Sequence, residues 1–365
     1  MNPLGSLNDH GQAVWLDYIE RALLTGGGLG RFIDEDGLSG VTSNPTIFDK
    51  ALAGGSDYDQ ALGALIGNDP GAPTEAIYEA LAVEDIRMAA DILAPVYERT
   101  MGADGFVSLE VSPHLAADTD GTVDEAKRLW RAVDRPNVMI KVPATPEGTP
   151  AIATLIGEGI NVNATLMFSL GHYEAVAGAY IEGLGRAADP ASLASVASFF
   201  VSRIDTAAGR ALDDIGTEEA QALKGKIAIA NAKMAYARFG EIFGGDSFAS
   251  LKAKGAHVQR VLWASTGTKD PAFSDVLYVE ELIGPDTVNT LPIATLDAFR
   301  DHGRPRRTID QGLDEAGDDL AKLKGLGIDL DEITARLQID GVAAFADSFD
   351  KLIAGLDSKR LALAS

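Results

Sequence analysis

Asn137-Val138-Met139-Ile140-Lys141-Val142-Pro143-Ala144-Thr145 reads as a strand with one charged residue at its centre. Alternate side chains of an extended chain face opposite ways, so Val138, Ile140 and Val142 share one face and Met139, Lys141 and Pro143 the other. Comparable β-rich runs lie on both sides of it, at residues 13–17, 38–44, 105–111, 160–168, 196–203, 259–265 and 287–294. Amphipathic stretches at 122–133, 149–157, 172–184 and 275–282 separate several of them, with Asp275 and Asp297 expected as helix caps. The longer gap after Asn44 holds several helices, notably one over 74–99, and the gap after Ile204 holds another around 226–243. After the last run the chain ends in helices over about 311–365, the final one near 342–356. Eight strands alternating with helices predict an α/β fold, a (β/α)8 TIM-type barrel with extra helices. A length of 365 residues would allow two domains, but α/β barrels often reach that size as one unit. With no repeat or Pro/Ser-rich linker, residues 1–365 read as a single domain with barrel strands over about 13–295.

The parity of these runs carries the functional information. Strands buried on both faces should be apolar throughout, yet here one face carries isolated polar groups. Val107, Leu109 and Val111 oppose Phe106, Ser108 and Glu110; Ile160, Val162, Ala164, Leu166 and Phe168 oppose Asn161, Asn163, Thr165 and Met167. In the first run Val14 and Leu16 oppose Trp15 and Asp17, and in the second Thr42 and Asn44 share a face. If the apolar set packs on the helices, Asp17, Asn44, Glu110, Lys141, Asn163 and Thr165 point to the barrel axis. All sit late in their strands, toward the C-terminal mouth where barrel enzymes build their sites. Satisfied core polar groups are the alternative, but burying an amine and two carboxylates costs several kcal/mol per ion unless they pair.

Composition narrows the chemistry. The chain has no cysteine, which removes disulfides, thiolate nucleophiles and sulfur-ligated zinc. Net charge is −23, against a nucleic-acid partner, because such binding neutralises phosphates with Lys and Arg. No apolar run reaches the length of a membrane span, and the first residues show no basic stretch followed by an apolar one. A cytoplasmic protein is expected. The five histidines, His10, His114, His172, His257 and His302, show no ligand spacing, so no metal is expected. Gly26-Gly27-Gly28-Leu29-Gly30 lacks the Lys-Ser/Thr of a phosphate loop and reads as a flexible loop.

Lys141 lies among Met139, Ile140, Val142 and Pro143. An exposed lysine titrates at about 10.4 and is protonated at neutral pH. Desolvation in a barrel lumen should release the free amine, which attacks carbonyls to form a Schiff base. A structural lysine paired with Glu110 is the alternative reading, and the two overlap, since the same carboxylate can move protons.

Several segments together resemble the transaldolase family of the pentose phosphate pathway. They are Gly40-Val41-Thr42-Ser43-Asn44-Pro45-Thr46, Ser108-Leu109-Glu110-Val111, Ile140-Lys141-Val142-Pro143-Ala144-Thr145, the run from Gly159 to Ser169, and Ser198-Phe199-Phe200-Val201-Ser202-Arg203-Ile204-Asp205. They follow the family's order from about Asp17 to Leu296. The resemblance implies a transferase that moves dihydroxyacetone from sedoheptulose 7-phosphate to glyceraldehyde 3-phosphate, giving erythrose 4-phosphate and fructose 6-phosphate. It implies phosphorylated sugars as ligands and neither metal nor organic cofactor. Position by position, Lys141 matches the Schiff-base lysine, and Glu110 with Thr165 the holders of a catalytic water. Asp17 matches the acid/base acting on the donor's C4 hydroxyl. Asn44 and Asn163 match amides that bind the dihydroxyacetone hydroxyls, Ser198 a substrate contact, and Arg203 the phosphate-binding arginine. A surface pair of Arg203 with Asp205 is the plainer reading of that cation.

One departure stands out. Many relatives carry Ala-Ser-Phe-Arg after the seventh strand; here Ala264-Ser265-Thr266-Gly267-Thr268-Lys269 puts glycine at the arginine. Ser265, Lys269 and backbone amides near Gly267 are the candidate replacements. This segment and the extended C-terminal region resemble the longer bacterial branch of the family. Two rivals stay open: a fructose 6-phosphate aldolase that releases free dihydroxyacetone, and a non-catalytic sugar-phosphate-binding barrel. Either a homodimer or a monomer fits the sequence.

Overall fold

The computed structural model describes residues 2–53 and 55–364. Its parallel strands close into a barrel in chain order: β1 (Gln12–Leu16), β2 (Leu38–Val41), β3 (Phe106–Glu110), β4 (Val138–Pro143), β5 (Val162–Met167), β6 (Ser195–Phe200), β7 (Arg260–Ala264) and β8 (Thr287–Leu291). β1 closes on β8, in register from Gln12 with Thr287 to Leu16 with Leu291. Strand residues are buried throughout, apart from Glu110 and Arg260, which are partly exposed. The apolar parity packs on the surrounding helices, and the mixed parity fills the interior.

The N-terminal end of the barrel is plugged. The Trp15 indole fills it and donates to Asp104 Oδ1 at 2.9 Å, while Arg260 lies 3.2 Å from Asp104 Oδ2 and over the Trp15 ring at 5.9 Å. Gly40 is what admits the indole, since a Cβ there would sit 2.4 Å from a ring atom. A floor sealed this way leaves the open chemistry to the other end.

The expected strands match the observed ones but run too far at their C-terminal ends. Thr42, Ser43 and Asn44 lie beyond β2, and Arg203 sits in the first turn of the helix Ser202–Ile215, not on β6. The alternation expected through Phe168 breaks at Leu166, which adopts φ 59° at a register shift between β5 and β6. Such a bulge redirects side chains at a strand end. Neither expected cap forms. Asp275 precedes the helix Leu277–Glu281 and pairs with His302, and Asp297 lies inside the helix Ile293–His302, paired with Arg300. The glycine cluster is not a loop: Gly26 ends the helix Arg21–Thr25, and Gly28 opens the helix Gly28–Asp36 after a left-handed Gly27.

The last helix is the largest difference. It runs Leu330–Ala364, far longer than expected, and crosses the C-terminal mouth. Its buried positions Thr334, Gln338, Gly341, Phe345, Leu352 and Leu356 follow helical spacing along one face. Gln338 Nε2 donates to the carbonyls of Ala144 at 2.8 Å and Leu166 at 3.1 Å, beyond β4 and within β5. Thr46 Oγ1 donates to Ser348 Oγ at 2.9 Å from the other side of the mouth.

Candidate active site

Strand register builds the centre of the site. Glu110, Lys141 and Asn163 pair directly across β3, β4 and β5, and Thr165 pairs with Pro143 further up. One rung therefore carries a carboxylate, an amine and an amide on the same side of the sheet. Lys141 Nζ lies 3.2 Å from Glu110 Oε2, their side chains 6% and 4% exposed, and it donates to the Ser43 carbonyl at 3.1 Å. The ammonium–carboxylate approach lacks hydrogen-bond alignment. Both Glu110 oxygens and the neighbouring Thr165 Oγ1 have no hydrogen-bond partner among the described residues. Buried polar atoms are nearly always satisfied, so two such groups beside one amine mark a place built for something that comes and goes.

The two carboxyls sit in different electrostatic settings. Burial pushes the Glu110 carboxyl above its ordinary range; Lys141 pulls the other way and Asp17 adds to the rise. Burial also raises Asp17, opposed by Lys141, by the hydrogen bond from Thr42, and by Arg203 and Lys269. Thr42 Oγ1 donates to Asp17 Oδ1 at 2.8 Å and lies 2.7 Å from Thr290 Oγ1. Glu110 is thus coupled chiefly to the amine, and Asp17 to a hydroxyl pair and three cations.

A cavity of about 490 Å³ opens above this rung, lined by Asp17, Asn44, Lys141, Thr165, Ser198, Arg203, Ser265 and Lys269. That is a size suited to one small ligand. Larger hollows of about 740 and 650 Å³ do not contain the amine, although Glu110 lines the second of them; Lys141, Asp17 and Arg203 together select the smaller one. Glu110 and Asn163 do not line it. Asn163 is fully buried, accepts from Ser198 Oγ at 2.7 Å and donates to Ser108 Oγ at 3.0 Å. It shares the rung of Lys141, and both ends of its amide are engaged by serines, so it fixes Ser198. Asn44 Oδ1 accepts from the backbone of Ile47 at 3.0 Å, capping the helix Pro45–Ala53, so only Nδ2 remains for a ligand.

Arg203 is the principal cation of the cavity wall. Its guanidinium lies 5.1 Å from the Phe200 ring centroid. Burial pulls its pKa below the ordinary value and Asp17 pushes back, but arginine stays charged in proteins. Asp205 does not pair with it, accepting instead from the backbone of Ala228 at 2.8 Å and Tyr278 OH at 2.9 Å. The surface-pair reading of Arg203 is overturned. Its place in the first turn of a 14-residue helix adds the positive end of the helix dipole.

Across the mouth, Ser265 holds a left-handed φ of 57° with Oγ 2.9 Å from Ser202 Oγ. Lys269 folds back so that Nζ lies 3.9 Å from where a Cβ on Gly267 would stand. The ammonium occupies the space a longer residue at 267 would use. The exposed Lys50 also reaches this cavity, so cations collect at the mouth of a chain whose net charge is −23.

Sequence reasoning missed Thr42 as the donor to Asp17, although its shared parity with Asn44 was visible. It also missed Phe345, 4% exposed, whose ring centroid is 5.5 Å from Lys141 Nζ. Nothing in helical periodicity separates such a residue from ordinary core. Among the described residues, no group of three or more His, Asp or Glu side chains converges to hold a metal ion. No helix among them is long and apolar enough to cross a membrane.

Comparison with known proteins follows the same line. The model of the transaldolase/fructose-6-phosphate aldolase family matches residues 14–356. A transaldolase of Thiobacillus denitrificans is 52% identical over 358 residues, covering 97% of this chain and 99% of its own. Transaldolases of Thermobifida fusca and Mycolicibacterium smegmatis are 49% and 47% identical, each over 96% of both chains. With its closed barrel and its buried lysine on the fourth strand, the chain belongs to the transaldolase/fructose-6-phosphate aldolase family.

Proposed function

We propose that this enzyme is a transaldolase in which Lys141 carries dihydroxyacetone as a Schiff base between a ketose phosphate donor and an aldose phosphate acceptor. The observation that carries the reading is the buried Lys141–Glu110 pair at 3.2 Å, beside a cavity that also holds Asp17 and Arg203. Lys141 passes a proton to Glu110 and its amine attacks the donor's C2 carbonyl. Glu110, with a carboxyl raised by burial, takes and returns protons through a water held with Thr165, as carbinolamine forms and dehydrates. Asp17 then accepts the C4-hydroxyl proton, the C3–C4 bond breaks, and its electrons pass into the iminium. The aldose phosphate leaves, and the three-carbon enamine attacks the next aldehyde. Asp17 returns the proton to the new C4 hydroxyl, and water adds to the product iminium carbon, so that the C–N bond breaks and ketose phosphate and amine separate.

Asn44 Nδ2 and Ser198, held by Asn163, bind the hydroxyls of the retained fragment. Arg203 grips the phosphate with the guanidinium fork, and Lys269 and Ser265 complete the clamp. Donor and acceptor are sedoheptulose 7-phosphate and glyceraldehyde 3-phosphate, giving erythrose 4-phosphate and fructose 6-phosphate. Every residue named comes from one chain, so the chemistry is complete in a monomer or in each half of a homodimer. The cytoplasmic location belongs to this proposal.

Fructose 6-phosphate supplied with erythrose 4-phosphate tests the reading. Glyceraldehyde 3-phosphate and sedoheptulose 7-phosphate should form in equal amounts. Stoichiometric free dihydroxyacetone in place of the heptose would instead make the enzyme a fructose 6-phosphate aldolase. No turnover at all would leave a sugar-phosphate-binding barrel.

A further inference from the structure

We propose that water enters and leaves the Lys141–Glu110 centre by a path behind the barrel mouth, through a small void walled by Phe48, Tyr78 and Phe349. This rests on the transaldolase reading above. Three hollows adjoin one another through shared residues. The mouth cavity is lined by Asn44 and Lys141 but not by Glu110. Behind it, a void of about 10 Å³ is lined by Ser43, Asn44, Glu110 and the three aromatic rings. That is about the least space that holds one water, and its polar lining offers the partners a water needs. Both oxygens of Glu110 lack a partner among the described residues, and Ser43 touches the amine, its carbonyl accepting from Lys141 Nζ at 3.1 Å. The third hollow, of about 650 Å³, shares Glu110, Tyr78 and Phe349 with the void and lies between the helix Thr74–Arg99 and the C-terminal helix. Tyr78 stands at the junction. Its ring meets Phe48 edge-on at 5.8 Å and Phe349 at 5.6 Å, so rings from three helices separate the void from the outer hollow. Burial pushes the Tyr78 hydroxyl above its ordinary range, and the Glu110 charge adds to the rise, which keeps the gate neutral.

Each turnover moves two waters. As the carbinolamine dehydrates, the oxygen on C2 takes a proton from Glu110, the C–O bond breaks, and the nitrogen lone pair closes the C=N bond as one water departs. At the end a water adds to C2 of the product iminium and gives its proton to Glu110. The nitrogen is then protonated, and the C–N bond breaks as the carbonyl re-forms. At both moments a sugar phosphate is attached to Nζ and occupies the mouth, with its phosphate on Arg203. Glu110 lines the two hollows behind that ligand and not the one it fills. A water made or used at Glu110 therefore has a route that does not pass the substrate.

Rapid borohydride quenching measures Schiff-base formation on Lys141 with two saturating donors: fructose 6-phosphate, which fills the mouth, and dihydroxyacetone, which leaves it open. Val111 lines the void, and Val111→Ile adds a methyl group there. It should slow formation with fructose 6-phosphate about fivefold or more, while formation with dihydroxyacetone stays within about twofold. Tyr78→Trp, which enlarges the ring between void and outer hollow, should do the same and guards against a folding failure of the first variant. A residue that only supports the fold would slow both donors alike. Equal slowing with both donors, or no slowing with either, in a folded variant overturns the proposal alone. Absence of any adduct on Lys141 in the wild type would overturn the transaldolase reading, and this proposal with it.

Discussion

Arg203→Ala separates phosphate binding from chemistry. The guanidinium lines the cavity, stacks near Phe200 at 5.1 Å, and is not shared with Asp205, whose bonds go elsewhere. Its charge is therefore available to a ligand with no internal ion pair to break first. A hydrogen bond to a charged group contributes about 1.5–3 kcal/mol, and about 1.4 kcal/mol is a factor of ten. The variant's KM for glyceraldehyde 3-phosphate should rise roughly 10- to 150-fold. With unphosphorylated glyceraldehyde as acceptor, the loss should stay within about threefold, as that substrate lacks the contact. A second effect follows from charge. Arg203 opposes the burial that raises the Asp17 carboxyl, so its removal should move the acid limb of the kcat profile to higher pH. Equal losses on both acceptors, with KM for the phosphate unchanged, would refute the assignment.

The remaining residues should separate by role. Asp17→Asn should slow cleavage by about 10²–10⁴ while leaving borohydride trapping of dihydroxyacetone intact; Glu110→Gln should slow trapping itself, and identical trapping defects would contradict the division of labour. The same Asp17→Asn variant should melt higher than wild type at pH 7–8. A carboxyl raised by burial supplies stability below its unfolded pKa of about 3.9 and loses it as pH rises through the folded value. Calorimetry should find the gain vanishing near pH 4, and a gain that persisted there would show another cause. Lys269→Ala should weaken phosphate binding more mildly than Arg203→Ala, and Gly267→Arg should then recover it. The new Cβ would lie 3.1 Å from Thr295 Oγ1, a contact a side-chain shift can relieve, and failure of that rescue would place the phosphate elsewhere.

The barrel was legible because its strands are buried on both faces and still show parity. Lys141 stands out in an otherwise apolar run, and an extended chain leaves no doubt about which neighbours share its face. Strand ends were less legible. Thr42 to Asn44 and Ser202 to Arg203 have β-compatible composition, but the ladder makes its last backbone bonds there, from Thr42 to Leu16 and from Ser202 to Ser265, before the chain turns into helix. The redirection at Leu166 and Ser265 was invisible, since left-handed backbone at a non-glycine residue is imposed by tertiary packing. Asn163 shows its face by alternation, but that its amide is engaged by Ser108 and Ser198 is a tertiary fact. The helix over the mouth was hardest. Gln338, Gly341 and Phe345 are spaced as any amphipathic helix is, and what they cover is a long-range fact.

The central claim is that Lys141 is the nucleophile, and borohydride reduction during turnover tests it most directly. Enzyme incubated with fructose 6-phosphate and then reduced should lose activity and carry one three-carbon adduct, which peptide mapping places on Lys141. An adduct on any other lysine, or full activity after reduction, would contradict the account.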